Sequence, residues 1–279
     1  SKTISQTILS PNPESIIDKK YLQEIPNKPG LYKFFDDNDY LIFVNTSPNL
    51  NNTILAHFDQ DFPNKTDSQL RKLATRLEFI TNIGWLESKL MESRLIQTNF
   101  PRLNWQTKFL YNQITAFKEL DETRTNFITL KHLIDIPFLY VPIILDVYKS
   151  TKQAASSLVA LTQQFNLCTK KINIPLDIPD QCLGFCSQQQ HTTEQYNSRV
   201  EQAFAITKIT PWPYLSSIAV KEKNQQYSLI INKWKFLGRS NEINLNNLTE
   251  NPSFNYQEYR IIKDYISNPS NKHTIQILS

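Results

Sequence analysis

Only four glycines occur in the 279 residues of this chain. The usual share is about 7%, so each of Gly30, Gly84, Gly184 and Gly238 marks a place where a side chain is hard to fit. Apolar residues make up 40% and aromatics 11%, enough to bury a core and too many for wholesale disorder. At roughly 150 residues per domain, the length suits one large domain or two ordinary ones.

The longest apolar run, Phe138 to Val147, is broken by Pro142 and Asp146. It falls short of the roughly 18 residues a membrane span needs. The opening residues, Ser1 to Gln6, have no apolar core and no initiator Met, so a signal peptide is not expected and the sequence reads as part of a longer chain. Three cysteines are too few for a disulfide framework, which makes a reducing cytoplasm the expected location. Thirty basic against 26 acidic side chains give +4, a balance that permits nucleic-acid binding without demanding it.

Patterning divides the chain. Residues 1–22 are polar, mixed and read as a lead-in. Pro29 to Phe35 and Tyr40 to Val44 are aromatic and β-branched runs split by Asp36-Asp37-Asn38-Asp39, which predicts a hairpin. Leu50, Ile54, Leu55 and Phe58 carry helical spacing, as do Leu70, Leu73, Ala74 and Leu77. A strand is predicted over 79–83 and a helix over 85–98, closed by Pro101. This first unit spans 23–106, followed by a connector over 107–135. The remainder, 136–279, is expected to be a second α/β domain. Its predicted elements are a strand over 138–147, a helix through Ala154 to Phe165, a loop over 175–190, a helix over 192–206 and a strand over 227–236.

Several of these residues together resemble a known family. Pro29-Gly30-Leu31-Tyr32, Phe43-Val44-Asn45, Glu92-Ser93-Arg94-Leu95-Ile96 and Phe100-Pro101-Arg102-Leu103-Asn104 resemble the GIY-YIG nuclease domain of the UvrC and Cho excision-repair nucleases. Cys182-Leu183-Gly184-Phe185-Cys186, Tyr196 to Val200, Pro211-Trp212-Pro213 and Trp234 to Gly238 resemble the cysteine-containing region of Cho-like proteins. The resemblance covers about residues 24–240. It implies a small mixed sheet with flanking helices, then a second α/β domain of Cho/UvrC type. Some relatives carry this module after a proofreading-type exonuclease domain.

The resemblance also implies a chemistry: a single divalent cation, Mg or Mn, held by one Glu, with a tyrosine, an Arg and a Lys around the scissile phosphate. Carried over by position, Glu92 matches the metal ligand and Tyr32 the first tyrosine. Phe43 replaces the second tyrosine, Asn45 the motif glycine, Thr46 the lysine, Thr53 the arginine and His57 the third tyrosine. This is a degenerate set. Tyr40 and His57 are the candidates for a rebuilt site with Tyr32 and Glu92. The alternative for Glu92 is a plain bond to Lys89, Arg94 or a loop. Four thiolates are the usual cluster ligands, and here Cys168, Cys182 and Cys186 remain, with His191 the one candidate for a fourth. Ordinary thiols, rather than an iron–sulfur cluster, are therefore expected.

Between Pro63 and Arg102 stand seven basic and four acidic side chains. Lys65, Arg71, Lys72, Arg76 and Arg94 are the candidate DNA contacts, of the salt-dependent, sequence-independent kind. The favoured function is a UvrC/Cho-like repair module that has lost or weakened cutting while keeping DNA or protein binding. Its expected protein partners are a UvrB-like helicase or a polymerase/exonuclease component. The competing readings are an active endonuclease with a rearranged site and a structural module that does not touch DNA.

Overall fold

The computed structural model describes residues 4–9, 22, 24–58, 64–105, 107, 113–135, 144–173, 192–206, 209–242 and 255–278. The chain divides into two compact units. One comprises Ser1–Lys108, Tyr214–Leu248 and Tyr256–Ser279, and the other Phe109–Pro213 with Thr249–Asn255.

The first unit contains the expected hairpin. Strands β2 (Gly30–Phe35) and β3 (Leu41–Ser47) pair antiparallel, and β2 also pairs antiparallel with β4 (Arg76–Thr81). Strand β1 (Ile4–Leu9) extends the sheet beyond β4, so the lead-in segment contributes a strand. The order is β1-β4-β2-β3, and the sheet is antiparallel throughout rather than mixed. Buried and half-buried residues alternate along β4, the period expected of a strand with one face on a core. The register sets Phe34 between Phe43 and Leu77, and Tyr32 between Asn45 and Phe79. Gly30 belongs here because a Cβ would collide with the Ile80 carbonyl oxygen of β4.

Helix α1 (Leu50–His57) is capped by the Asn49 side chain, which accepts from the Asn52 amide. Helix α2 (Lys65–Leu73) is capped by Asn64 in the same way. The predicted helix through Leu77 stops at Leu73, because Leu77 turns into β4 and is buried as a strand residue. Both helices lend apolar residues, including Leu50, Ile54 and Leu70, to a core with Tyr32, Phe34 and Phe79. Helix α3 (Trp85–Asn99) ends where Phe100 adopts a left-handed conformation before Pro101.

The C-terminal part of the sequence returns to this unit. Strands β9 (Ile218–Val220), β10 (Leu229–Asn232), β11 (Lys235–Arg239) and β12 (Ile275–Ile277) form an antiparallel sheet in the order β11-β10-β9-β12. The single strand predicted over 227–236 is two strands, turned at Lys233 and Trp234, both at positive φ. A helix, Tyr256–Ser267, packs against α3; it was not anticipated from the sequence.

Three carboxylates join these parts. Gly84, the residue before α3, offers no side-chain cap, and the Glu222 carboxylate accepts from the Leu86 and Glu87 amides at 2.8 and 3.1 Å instead. A Cβ on Gly84 would collide with that carboxylate. Glu87 is 2% exposed and accepts from Tyr227 Oη at 2.5 Å and Arg239 Nε at 2.6 Å. Glu258 accepts from the Phe236 amide at 2.5 Å and lies 3.9 Å from Arg94.

The second unit includes residues expected to be a connector. Strands β5 (Ile114–Leu120) and β6 (Asn126–His132) form an antiparallel hairpin, flanked by β7 (Ile144–Tyr148) on β5 and a two-residue β8 (Ile172–Asn173), parallel to β6. Helices α4 (Thr151–Phe165) and α5 (Thr193–Ala205) supply Ala154, Leu158, Val200 and Phe204 to its core. A capping box at Thr192 and Gln195 starts α5. The strand predicted over 138–147 is described only from Ile144, and the loop over 175–190 lies outside the described residues. Among the described residues, no helix is long and apolar enough to cross a membrane.

Burial pushes the Glu222 carboxyl above its ordinary value, against the pull of its backbone partners. A carboxyl raised on folding makes the native state bind more protons than the unfolded chain, so this group's contribution falls as pH rises through the elevated pKa. From about pH 4.5 upward, unfolding midpoints of the wild type should decline relative to those of Glu222→Gln, whose own profile lacks this component. Urea unfolding across that range checks it.

Candidate functional site

The residues picked out by sequence fall into two hydrogen-bonded groups around β3. In the first, Tyr32 on β2 is buried completely, among Phe34, Phe43 and His57. Its hydroxyl lies 2.7 Å from His57 Nε2, at the end of α1. His57 Nδ1 lies 2.6 Å from Asp67 Oδ1, in the first turn of α2. A carboxylate only accepts, so Nδ1 carries the proton of that bond. Burial, with the nearby charges of Glu92 and Asp67, holds the Tyr32 pKa well above the ordinary tyrosine value, despite a hydrogen bond with Asn45.

The second group centres on Glu92 of α3, which is 6% exposed. Thr46 Oγ1 donates to Glu92 Oε2 at 2.9 Å, and Lys89 Nζ donates to the same oxygen at 3.1 Å. Beside it, Ser47 Oγ and Thr53 Oγ1 share a hydrogen bond of 2.6 Å. Asn45 Oδ1 accepts from the Thr46 amide at 2.8 Å. Asn104 clamps β3 by accepting from the Val44 amide and donating to the Val44 carbonyl. Thus the threonines at the expected lysine and arginine positions make hydrogen bonds within the protein and bring no positive charge.

Other predicted residues lie elsewhere. Tyr40 is 71% exposed on the hairpin turn and joins neither group. Lys65 and Lys72 are exposed on α2, with Arg71 half-buried between them. Arg76 stacks on Phe35 and pairs with Asp39 and Glu78. Arg94 donates to the Phe236 carbonyl at 2.5 Å, so its cation serves the C-terminal sheet. Cys168 is buried, while Cys182, Cys186 and His191 lie outside the described residues.

Against known proteins, the UvrC-like GIY-YIG domain model matches residues 28–105. This chain carries a UvrC-like GIY-YIG domain. Excinuclease Cho of Salmonella typhi is 23% identical over 231 residues, covering 79% of this chain and 76% of the relative. UvrABC system protein C of Streptococcus thermophilus is 33% identical over 90 residues, or 32% of this chain and 15% of that protein. The N-terminal GIY-YIG endonuclease domain of Thermotoga maritima UvrC, solved with its catalytic divalent cation magnesium, is 22% identical over 31% of this chain and 93% of that one, with a TM-score of 0.28. The chain is therefore related to the UvrC/Cho-like GIY-YIG DNA-repair nucleases through more than this one domain.

GIY-YIG kinship implies a divalent cation at Glu92, and the donors present do not fit one. Glu92 offers one carboxylate, with an ammonium and a hydroxyl already on one of its oxygens. Among the described residues, no three His, Cys, Asp or Glu side chains are grouped to hold an ion.

Sequence reasoning missed Asp67 and the Ser47–Thr53 bond. Asp67 is ten residues past His57 across an intervening loop, with no periodicity linking them. Lys89 was legible, because a Lys three residues before a Glu on a helix shares its face.

Removing the Tyr32 hydroxyl leaves His57 Nε2 without its partner. Tyr32→Phe should cost about 1–2 kcal/mol without altering the fold, measured by urea unfolding and circular dichroism. Loss of less than a few tenths would contradict this bond.

Proposed function

We propose that this protein is a DNA-repair module of UvrC/Cho type whose metal-dependent cutting is lost and whose retained role is to bind DNA. The observation that carries the reading is the complete burial of Tyr32, whose hydroxyl is committed to His57. A tyrosine that activates water must meet water. Here the phenol is covered, and its raised pKa opposes loss of its proton. The positions for two phosphate-facing cations hold Thr46 and Thr53, which bond internally. Each lost electrostatic contact of this kind typically costs about 10²–10³ in rate, so two together leave little catalysis.

Binding is supported by kinship with nucleases and by α2, which presents Lys65 and Lys72 to solvent with Arg71 beside them. Arg76 and Arg94 contribute less because each already has an internal partner. The protein partners consistent with this role remain a UvrB-like helicase or a polymerase/exonuclease component. A second reading, a working rearranged endonuclease, draws on the Tyr32–His57–Asp67 chain, which has the layout of a proton relay.

A nicking assay on a branched duplex with Mg or Mn, run on wild type and Glu92→Gln, separates the two. The proposal expects no metal-dependent cutting by either, and retention of the duplex at low salt that weakens in Lys65→Glu/Lys72→Glu. Cutting by the wild type that disappears in Glu92→Gln would overturn it.

A further inference from the structure

The Lys89 ammonium is held from two sides on one face of α3. Trp85, one turn earlier, places its ring centroid 5.2 Å from Nζ, and Glu92, nearly one turn later, receives its N–H at 3.1 Å. Glu92 is nearly covered, with 8% of its side chain exposed against 32% for Lys89, so the ammonium lies on the solvent side of the carboxylate. From β3, the Thr46 hydroxyl bonds the same Glu92 oxygen that Lys89 uses. The buried charge is thus met by a fixed monovalent cation and one neutral donor.

That arrangement is more than a surface ion pair, because a buried carboxylate without a counter-charge is costly. A dication placed on this carboxylate would share it with the ammonium, and like charges at a partly buried site repel strongly. We infer that Lys89 is the resident cation of this site: its ammonium stands where a divalent metal would, and excludes one from Glu92. The inference deepens the reading of a site that no longer cuts, and rests on it. It adds a cause, since restoring the metal position requires removing one charge.

The experiment is manganese titration of the whole chain, followed by the electron paramagnetic resonance signal of free Mn²⁺. Wild type and Lys89→Arg, both with a cation at this position, should leave that signal unchanged apart from uptake that Glu92→Gln shows equally. Lys89→Met should take up one additional ion, at least about tenfold more tightly than wild type, and Lys89→Met/Glu92→Gln should lose it. Lys89→Gln is a second neutral variant in case Met at this half-exposed position impairs folding, and circular dichroism checks each protein. Glu92-dependent Mn²⁺ uptake by the wild type would overturn the inference, as would equal behaviour of Lys89→Met and Lys89→Arg. Uptake by the wild type without nicking sinks this inference alone, whereas metal-dependent nicking by the wild type sinks the proposed function.

Discussion

A phenol buried beneath three aromatic rings must find a hydrogen-bond partner inside the protein, and this need organises the first unit. Tyr32 meets it through His57, and His57 in turn through Asp67, so β2, α1 and α2 are tied by two short bonds. Leaving a buried donor or acceptor unmade costs about 1–3 kcal/mol, so each member holds the next in place. The rings of Phe34 and Phe43 against His57 then fill the space around the chain of bonds. The result is a self-bonded group of side chains within the residues that match the GIY-YIG domain model.

Helix α3 is the second fixed element, and it is used along its length. At its start the Glu222 carboxylate replaces a missing N-cap, and the glycine at that position makes room for it. Glu87 anchors Tyr227 and Arg239 of the C-terminal sheet, while Glu92 on the same helix faces β3 and Thr46. One helix therefore joins two sheets through carboxylates that are all internally paired. Arg94 belongs to the same set of contacts, bonding the Phe236 carbonyl while 45% of its side chain stays exposed.

Much of the fold was legible in the sequence. The hairpin, α1 and α3 follow from apolar spacing and turn residues, whose local signals agree with the tertiary result. The split of the C-terminal sequence between two units was not legible, because Tyr227 and Arg239 meet Glu87 across about 140 residues and no local pattern encodes that pairing. Nor was the hairpin of β5 and β6, whose polar residues at Lys118, Glu119 and Lys131 mask its alternation. In the site, Tyr32, His57 and Glu92 stood out through the family resemblance. Their partner Asp67 did not, since a carboxylate on the next helix carries no spacing signal, and Thr46 stood out as the residue in the lysine's place rather than as a partner of Glu92. Tyr40 shows the opposite failure: a hydroxyl close in sequence to the site is carried away from it by the turn of the hairpin.

The central claim is that the Tyr32 phenol is covered and bonded to His57, which is bonded in turn to Asp67. Nitrogen-15 NMR of ring-labelled histidine tests it most directly, with His57→Gln assigning the signal. The account predicts a proton on His57 Nδ1 that is held by Asp67 and exchanges slowly with water, and a ring signal that changes in Tyr32→Phe. An Nδ1 proton in rapid exchange, or a ring signal that Tyr32→Phe leaves unchanged, would contradict the account.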